Sequence, residues 1–189
     1  MDNLTMDEQQ QLLRVARQAV EAAANGQGLP EIDRDNISAR LFEPGASFVT
    51  ITEADGSLRG CIGTLEAHQP LVEDVRERAA SAATEDHRFA SVMPEEVSSL
   101  RIEISRLTTP QPLEYEGPDD LLAKLHPGVD GVILRDGFHR ATFLPQVWEK
   151  VPDAREFLAH LCLKMGAPAN LWRLKKLQVL VYQVEEFHE

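Results

Sequence analysis

Positive charge is scarce in this chain of 189 residues, which has 19 lysines and arginines against 31 aspartates and glutamates. The formal net charge of −12 at pH 7 repels nucleic-acid phosphates, which bind preferentially to basic patches. The one dense basic segment is short and consists of Arg173, Lys175 and Lys176. It is more simply explained as the solvated entry to a strand. The composition therefore argues against a nucleic-acid partner.

Cysteine is also scarce, because Cys61 and Cys162 are the only two and lie far apart in sequence. Such a pair does not define a disulfide framework in a chain of this size. The acidic stretch Met1–Glu8 is typical of neither a signal peptide nor a transit peptide. No apolar run approaches the roughly 20 residues that span a bilayer. We therefore expect a cytoplasmic protein that has no membrane-spanning segment.

The six histidines show no metal-binding spacing such as His-Glu-x-x-His, and the sequence contains no P-loop. Gly60-Cys-Ile-Gly63 is not a dinucleotide fingerprint, because the glycines of that motif lie between a strand and a helix. The sequence thus predicts no metal site and no cofactor.

Hydrophobic periodicity predicts a mixture of helices and strands. The predicted helices are Thr5–Ala24, Gln69–Thr84, Pro118–Leu125 and Ala154–Met165, with a helical turn at Pro145–Lys150. The predicted strands are Ser47–Glu53, Leu58–Leu65, Leu100–Leu107, Val129–Arg135, His139–Phe143 and Leu177–Phe187. Thr5 and Glu8 predict a capping box at the start of the first helix, and Asp55-Gly56 and Asp136-Gly137 favour hairpin turns. Since no regular βαβ rhythm is present, we expect an α+β fold with largely antiparallel sheets.

The segment Leu58-Arg-Gly-Cys-Ile-Gly63 is unusual for a strand because glycine weakens strand interiors and often marks a close approach to the backbone. Alternation places Arg59, Cys61 and Gly63 on one face. A guanidinium beside a thiol favours the reactive thiolate, so Cys61 is the candidate nucleophile. Gly60 and Gly63 are the candidate positions at which a ligand approaches the backbone, with room beside the sulfur at Gly63. The alternative is that Cys61 is a small buried hydrophobe.

Three further residues are candidates for this site. Glu103, on the polar face of its strand, would be the base beside Cys61 if the two strands are adjacent; the alternative is a solvated sheet face. Arg88 would bind a carboxylate or phosphate through its bidentate fork, unless it pairs structurally with Asp86. Gln146 would orient a ligand at a strand-to-helix corner, with Trp148 as a wall or as a core residue.

Several long segments, in order along the chain, resemble the AMMECR family. They are Leu58–Leu65, Asp86–Phe89, Leu100–Ser105, Pro127–Leu134, Ala141–Trp148 and Phe157–Lys164. The resemblance covers nearly the whole chain and implies a single domain over residues 1–189, built as two α+β lobes with a cleft between them. The signature segment Leu58–Gly63 would contribute to that cleft. One departure is His87, where many members of the family have a proline.

The resemblance also implies kinship with the bacterial proteins called AmmeMemoRadiSam system protein A, which are grouped with a Memo-like protein and a radical SAM protein. These two are therefore possible partners. The family has no established biochemical activity, so two functions stay open. One is a thiol-dependent enzyme, or enzyme subunit, that acts through Cys61. The other is a non-catalytic module that binds a small anion or a protein segment.

Overall fold

A computed structural model describes residues 3–189, so Met1 and Asp2 of the acidic N-terminal stretch lie outside the described residues. Within the described range, five α-helices and nine strands are present. The helices are α1 (Met6–Ala24), α2 (Leu71–Thr84), α3 (Pro118–Lys124), α4 (Ala154–Lys164) and α5 (Leu171–Leu174). The strands are β1 (Pro44–Thr52), β2 (Leu58–Gly63), β3 (Gln69–Pro70), β4 (Arg101–Leu107), β5 (Gln111–Pro112), β6 (Gly131–Asp136), β7 (His139–Phe143), β8 (Gln178–Tyr182) and β9 (Val184–His188). The expected α+β fold is confirmed, and β1–β2, β1–β4, β6–β7 and β6–β8 all pair antiparallel.

The chain divides into two compact units. The first runs to Leu107 and includes Glu185–Glu189, and the second is Thr108–Val184. The cleft that the sequence analysis expects between two lobes stays a prediction.

The first unit is a sheet of order β2-β1-β4-β9, with β3 paired to the start of β1, packed against α1 and α2. Helix α1 begins where the sequence predicts, since Thr5 and Glu8 form a complete capping box. Alternate residues of β1 and β4 point into one apolar core with both helices. Its fully buried members include Leu12, Val20, Val49, Ile51, Val75, Ile102 and Ile104.

The β1–β2 hairpin carries the signature segment at the edge of this sheet. Its loop has three residues rather than two, because Glu53 donates its backbone N–H to Ser57 O at 2.9 Å. Gly56 adopts φ +86°, the left-handed conformation that such a loop requires. Ile51 pairs with Gly60 and Thr52 with Leu58, which leaves Arg59 as the extra residue of a β-bulge.

The second unit is a sheet of order β5-β8-β6-β7 with α4 against it. Trp148 is a core residue, which was one of the two roles that the sequence analysis allowed for it. Its ring stacks on Phe157 with centroids 3.6 Å apart, and its Nε1 donates to Asp130 O at 2.7 Å.

Several predicted boundaries differ from the structure, and two of the differences change how the strands pair. The single C-terminal strand Leu177–Phe187 is interrupted at Gln183, whose main chain exchanges hydrogen bonds with Thr108, so β8 and β9 belong to different sheets. The helix predicted from Gln69 begins at Leu71, because Gln69–Pro70 pairs with Pro44–Gly45 as β3. Pro70 has an extended backbone and is the N-cap.

Candidate functional site

Cys61 lies in edge strand β2 and is half-buried. Its neighbours Gly60 and Ile62 face the helices, so the Cys61 side chain is on the opposite face of the sheet. Thr50 of β1 is directly across from it, and the Thr50 hydroxyl donates to Cys61 Sγ at 3.2 Å. The main-chain N–H of Cys61 points away from β1, towards Asp86. This is therefore a non-hydrogen-bonded pair, the kind in which side chains approach closely.

Asp86 and Arg88 cover the free edge of β2 at Cys61. One Asp86 carboxylate oxygen accepts the Cys61 N–H at 2.8 Å, and Arg88 Nη2 donates to the Cys61 carbonyl at 3.4 Å. The two side chains thus occupy the positions that a neighbouring strand would fill, which protects the edge from pairing with another chain.

A β-turn holds this pair in place. Phe89 N–H donates to Asp86 O at 3.0 Å, and Arg88 N–H donates to Asp86 Oδ1 at 3.2 Å. Asp is favoured at the first position of such a turn because its side chain bonds the backbone two residues on. His87 lies at the second turn position and is exposed.

The charges of the pair are closely coupled. Arg88 Nε and Nη2 bind the two oxygens of Asp86 at 2.9 and 2.6 Å. These bonds and the one from Cys61 N–H hold the pKa of the buried Asp86 carboxyl well below its ordinary value. The same carboxylate raises the pKa of Arg88. The Arg88 side chain remains 58% exposed, so it is the accessible cation at Cys61.

Arg59 is the extra residue of the bulge, so strict alternation does not fix the direction of its side chain. Its Nε and Nη2 bind Glu96 at 3.1 and 3.2 Å, and Nη1 donates to Ala90 O at 2.8 Å. This guanidinium lowers the pKa of Glu96. The bonds tie the loop after α2 to β2, so the structure gives Arg59 partners other than the thiol. A ligand-binding role for it stays a prediction.

The expectation of room for a ligand beside the sulfur at Gly63 is wrong, because the ring of Phe48 fills that space. A Cβ on Gly60 would collide with the carbonyl oxygen of Ala82 in α2, and one on Gly63 would collide with the ring of Phe48. Both missing side chains are therefore required for close packing inside the first unit. The approach of a ligand to the backbone at Gly60 or Gly63 stays a prediction.

Glu103 is not adjacent to Cys61, because β1 lies between their strands. Both residues pair with Thr50, so they lie in one row two strand spacings apart, roughly 10 Å. Direct proton transfer from Cys61 to Glu103 is therefore out of reach. Gln146 is exposed in the short 3-10 helix Pro145–Glu149 of the second unit, and its place in the same site stays a prediction.

Thr50 is the contact residue that our sequence analysis missed. Counting outwards from Asp55-Gly56 as a two-residue loop pairs Thr50 with Cys61, so the hairpin signal was sufficient to find it. The actual loop has three residues, which by itself would shift the pairing of the two strands by one residue. The extra residue Arg59 in β2 cancels this shift, so Thr50 still pairs with Cys61.

Residues 3–189 contain no group of three or more His, Cys, Asp or Glu side chains arranged to hold a metal ion. Over the same range, no helix has the length and apolar character needed to cross a membrane.

Together, these features define an α+β protein with a cysteine at the edge of an antiparallel sheet, covered by an Asp-Arg turn. The AMMECR1 family model matches residues 13–187. The chain therefore belongs to the AMMECR1 family.

Archaeal proteins are among its relatives. One from Methanothermobacter thermautotrophicus is 40% identical over 98% of this chain and 96% of its own length. Protein MJ0810 of Methanocaldococcus jannaschii is 38% identical over 98% of this chain and 92% of its own. The crystal structure of the uncharacterised protein PH0010 from Pyrococcus horikoshii superposes with a TM-score of 0.78 at 33% identity, covering 97% of this chain and 91% of that one.

Proposed function

We propose that the working site of this protein is the β2 edge at Cys61, where a small anionic ligand binds beside the thiol. Arg88 contacts the anionic group, and Cys61 is the reactive group if the protein is an enzyme. Both guanidiniums bind a carboxylate, Arg59 that of Glu96 and Arg88 that of Asp86, but the Arg88 side chain is 58% exposed whereas that of Arg59 is only 12% exposed. Since Nε and Nη2 of Arg88 are bonded to Asp86, the donor for a carboxylate or phosphate is Nη1, which has no hydrogen-bond partner among residues 3–189.

The observation that carries the proposal is the contrast between the two free cysteines. Cys162 has no exposed surface, and burial raises the pKa of its thiol, which makes it unreactive. Cys61 is half-buried, and its main-chain N–H and carbonyl are bonded to Asp86 and Arg88 at the free edge of β2. A thiol held in this way keeps its position when a ligand arrives, which is what nucleophilic chemistry requires.

A specific observation favours the alternative, a non-catalytic binding module. Glu103 is two strands away, so the candidate base has no direct contact with the thiol. In that case the site holds a small anion or a peptide segment and carries out no chemistry. Under either alternative, a Memo-like protein and a radical SAM protein are the proposed partners. Two free thiols accord with a proposed cytoplasmic setting.

The test is to purify the wild-type protein and the Cys61→Ser and Arg88→Gln variants from cells and to identify co-purifying small molecules and proteins by mass spectrometry. Cys162→Ser is the matched control. We expect an anionic species with the wild type and with Cys162→Ser, at a reduced level with Arg88→Gln. If the anionic species no longer co-purifies with Cys61→Ser, a thiol-dependent function is supported. If it still co-purifies, the binding module is supported. Equal recovery from the wild type and Arg88→Gln would contradict the site itself.

A further inference from the structure

The first unit contains a second candidate site, a cavity of about 250 Å³ between α1 and the segment that follows it. The cavity is lined by Arg14 and Val15 of α1, by residues 30–33 with 36 and 37, and by Arg76 of α2. Since a water molecule occupies about 30 Å³ in the liquid, this space equals that of roughly eight waters. It shares no lining residue with the Cys61 site.

The arginines of the first unit indicate what this cavity attracts. All ten of its basic residues are arginines, against 22 acidic residues. Seven of the ten have a carboxylate within ion-pair distance: Arg17, Arg34, Arg40, Arg59, Arg78, Arg88 and Arg106. Arg14, Arg76 and Arg101 have none among residues 3–189, and two of these three line the same cavity.

Arg76 is incompletely bonded. Its Nη1 donates to Pro30 O at 3.1 Å, but its buried Nε has no hydrogen-bond partner among the described residues. Arg78, whose Nε is also without a hydrogen bond, at least has Asp74 Oδ1 at 3.4 Å. A buried donor without an acceptor is unfavourable, so this guanidinium is poorly satisfied by the protein. A ligand in the cavity would not reach the buried Nε but would accept from Nη2, which has no hydrogen-bond partner among residues 3–189.

The cavity also offers a carboxylate and an apolar wall. Asp33 is already occupied, because its oxygens accept from Asp35 N–H and Asn36 Nδ2. Glu31 is exposed and has no hydrogen bond or ion pair within residues 3–189. The half-buried side chains of Ile32 and Ile37 contribute apolar surface. Two unpaired cations, one unpaired anion and this surface are complementary to a small molecule that carries both charges on an apolar body.

We propose that this cavity binds a free α-amino acid with an apolar side chain. Arg14 and Arg76 contact the α-carboxylate, Glu31 contacts the α-ammonium group, and the isoleucines contact the side chain. The proposal is independent of the function assigned to Cys61, because no residue of that site takes part in it.

The test is isothermal titration of the full-length protein with L-leucine, L-valine and L-methionine. 4-Methylpentanoate, which is leucine without its amino group, and inorganic phosphate are the comparison ligands. We expect saturable binding of at least one amino acid and binding at least tenfold weaker for 4-methylpentanoate and phosphate. Arg14→Ala and Arg76→Gln should each weaken amino-acid binding about tenfold. Glu31→Gln should weaken amino-acid binding but should not change the binding of 4-methylpentanoate, which has no ammonium group.

Arg34→Ala is the matched control, since Arg34 belongs to the same segment but pairs with Glu73 and does not line the cavity. It should bind like the wild type. Arg14 is exposed on α1, so its variant tests the site even if the Arg76 variant folds poorly. The proposal is overturned if none of the three amino acids binds saturably up to about 10 mM. Equal binding of 4-methylpentanoate or phosphate, or full binding by Arg14→Ala, would also overturn it.

Discussion

Asp86 is the residue whose removal should disturb the Cys61 site most. Its buried carboxylate accepts hydrogen bonds from Cys61 N–H and, through three donors, from Arg88. A hydrogen bond to a charged group is worth about 1.5–3 kcal/mol when buried. The contribution of the exposed Arg88 must be discounted for solvent screening. We therefore expect Asp86→Asn to lower the free energy of unfolding by about 2 kcal/mol, and Arg88→Ala by about 0.5–1 kcal/mol.

The effect of Asp86→Asn should depend on pH. Hydrogen bonding and the Arg88 charge hold the pKa of Asp86 below its ordinary value, so its contribution is complete above the unfolded-state pKa of about 3.9. The contribution is lost as the pH falls through the lower folded-state pKa. The stability difference between the wild type and Asp86→Asn should therefore be constant from about pH 7 to 5 and should narrow below about pH 4.

Urea denaturation followed by circular dichroism at several pH values measures both quantities. The reasoning is refuted if Arg88→Ala costs as much as Asp86→Asn, because the buried carboxylate charge would then contribute nothing beyond its contact with the exposed Arg88. If the stability difference between the wild type and Asp86→Asn stays constant or widens as the pH falls, the argument from the lowered pKa of Asp86 is refuted.

Two further predictions concern the same region. Gly60→Ala should lower the free energy of unfolding by about 3 kcal/mol, because the added Cβ would collide with the Ala82 backbone. Gly28→Ala, in open space without a positive φ, should be neutral in the same urea titration, and similar costs for both would contradict the packing argument. His87→Pro should raise the free energy of unfolding by about 0.5 kcal/mol, because proline suits the second position of this turn. A lower unfolding midpoint for this variant would show that the turn conformation is different.

The fold follows from local patterns where these are strong. The Thr5–Glu8 capping box and the two Asp-Gly turns predicted α1 and both hairpins, since each depends on residues close in sequence. The division of the last strand at Gln183 depends instead on a pairing with Thr108, 75 residues away. No local pattern reports such a contact.

The candidate site at Cys61 follows from the sequence, but its contacts were less predictable. Strand alternation correctly placed Cys61 and Gly60 on opposite faces of the sheet. It does not apply at Arg59, because the bulge there interrupts the regular register. The glycines were correctly seen as points of close approach, although what approaches is Ala82 and Phe48 of the same chain. The order of the strands, which separates Glu103 from Cys61, is a tertiary property that the strand sequences do not carry.

The most direct test of the central claim is site-resolved alkylation of the native protein by iodoacetamide, with peptide mass spectrometry to report Cys61 and Cys162 separately. We predict that Cys61 is modified in the folded protein while Cys162, which has no exposed surface, is modified only after unfolding. The Cys162→Ala variant should retain the full native reaction. A Cys61 that stays unmodified until the protein unfolds would contradict the account.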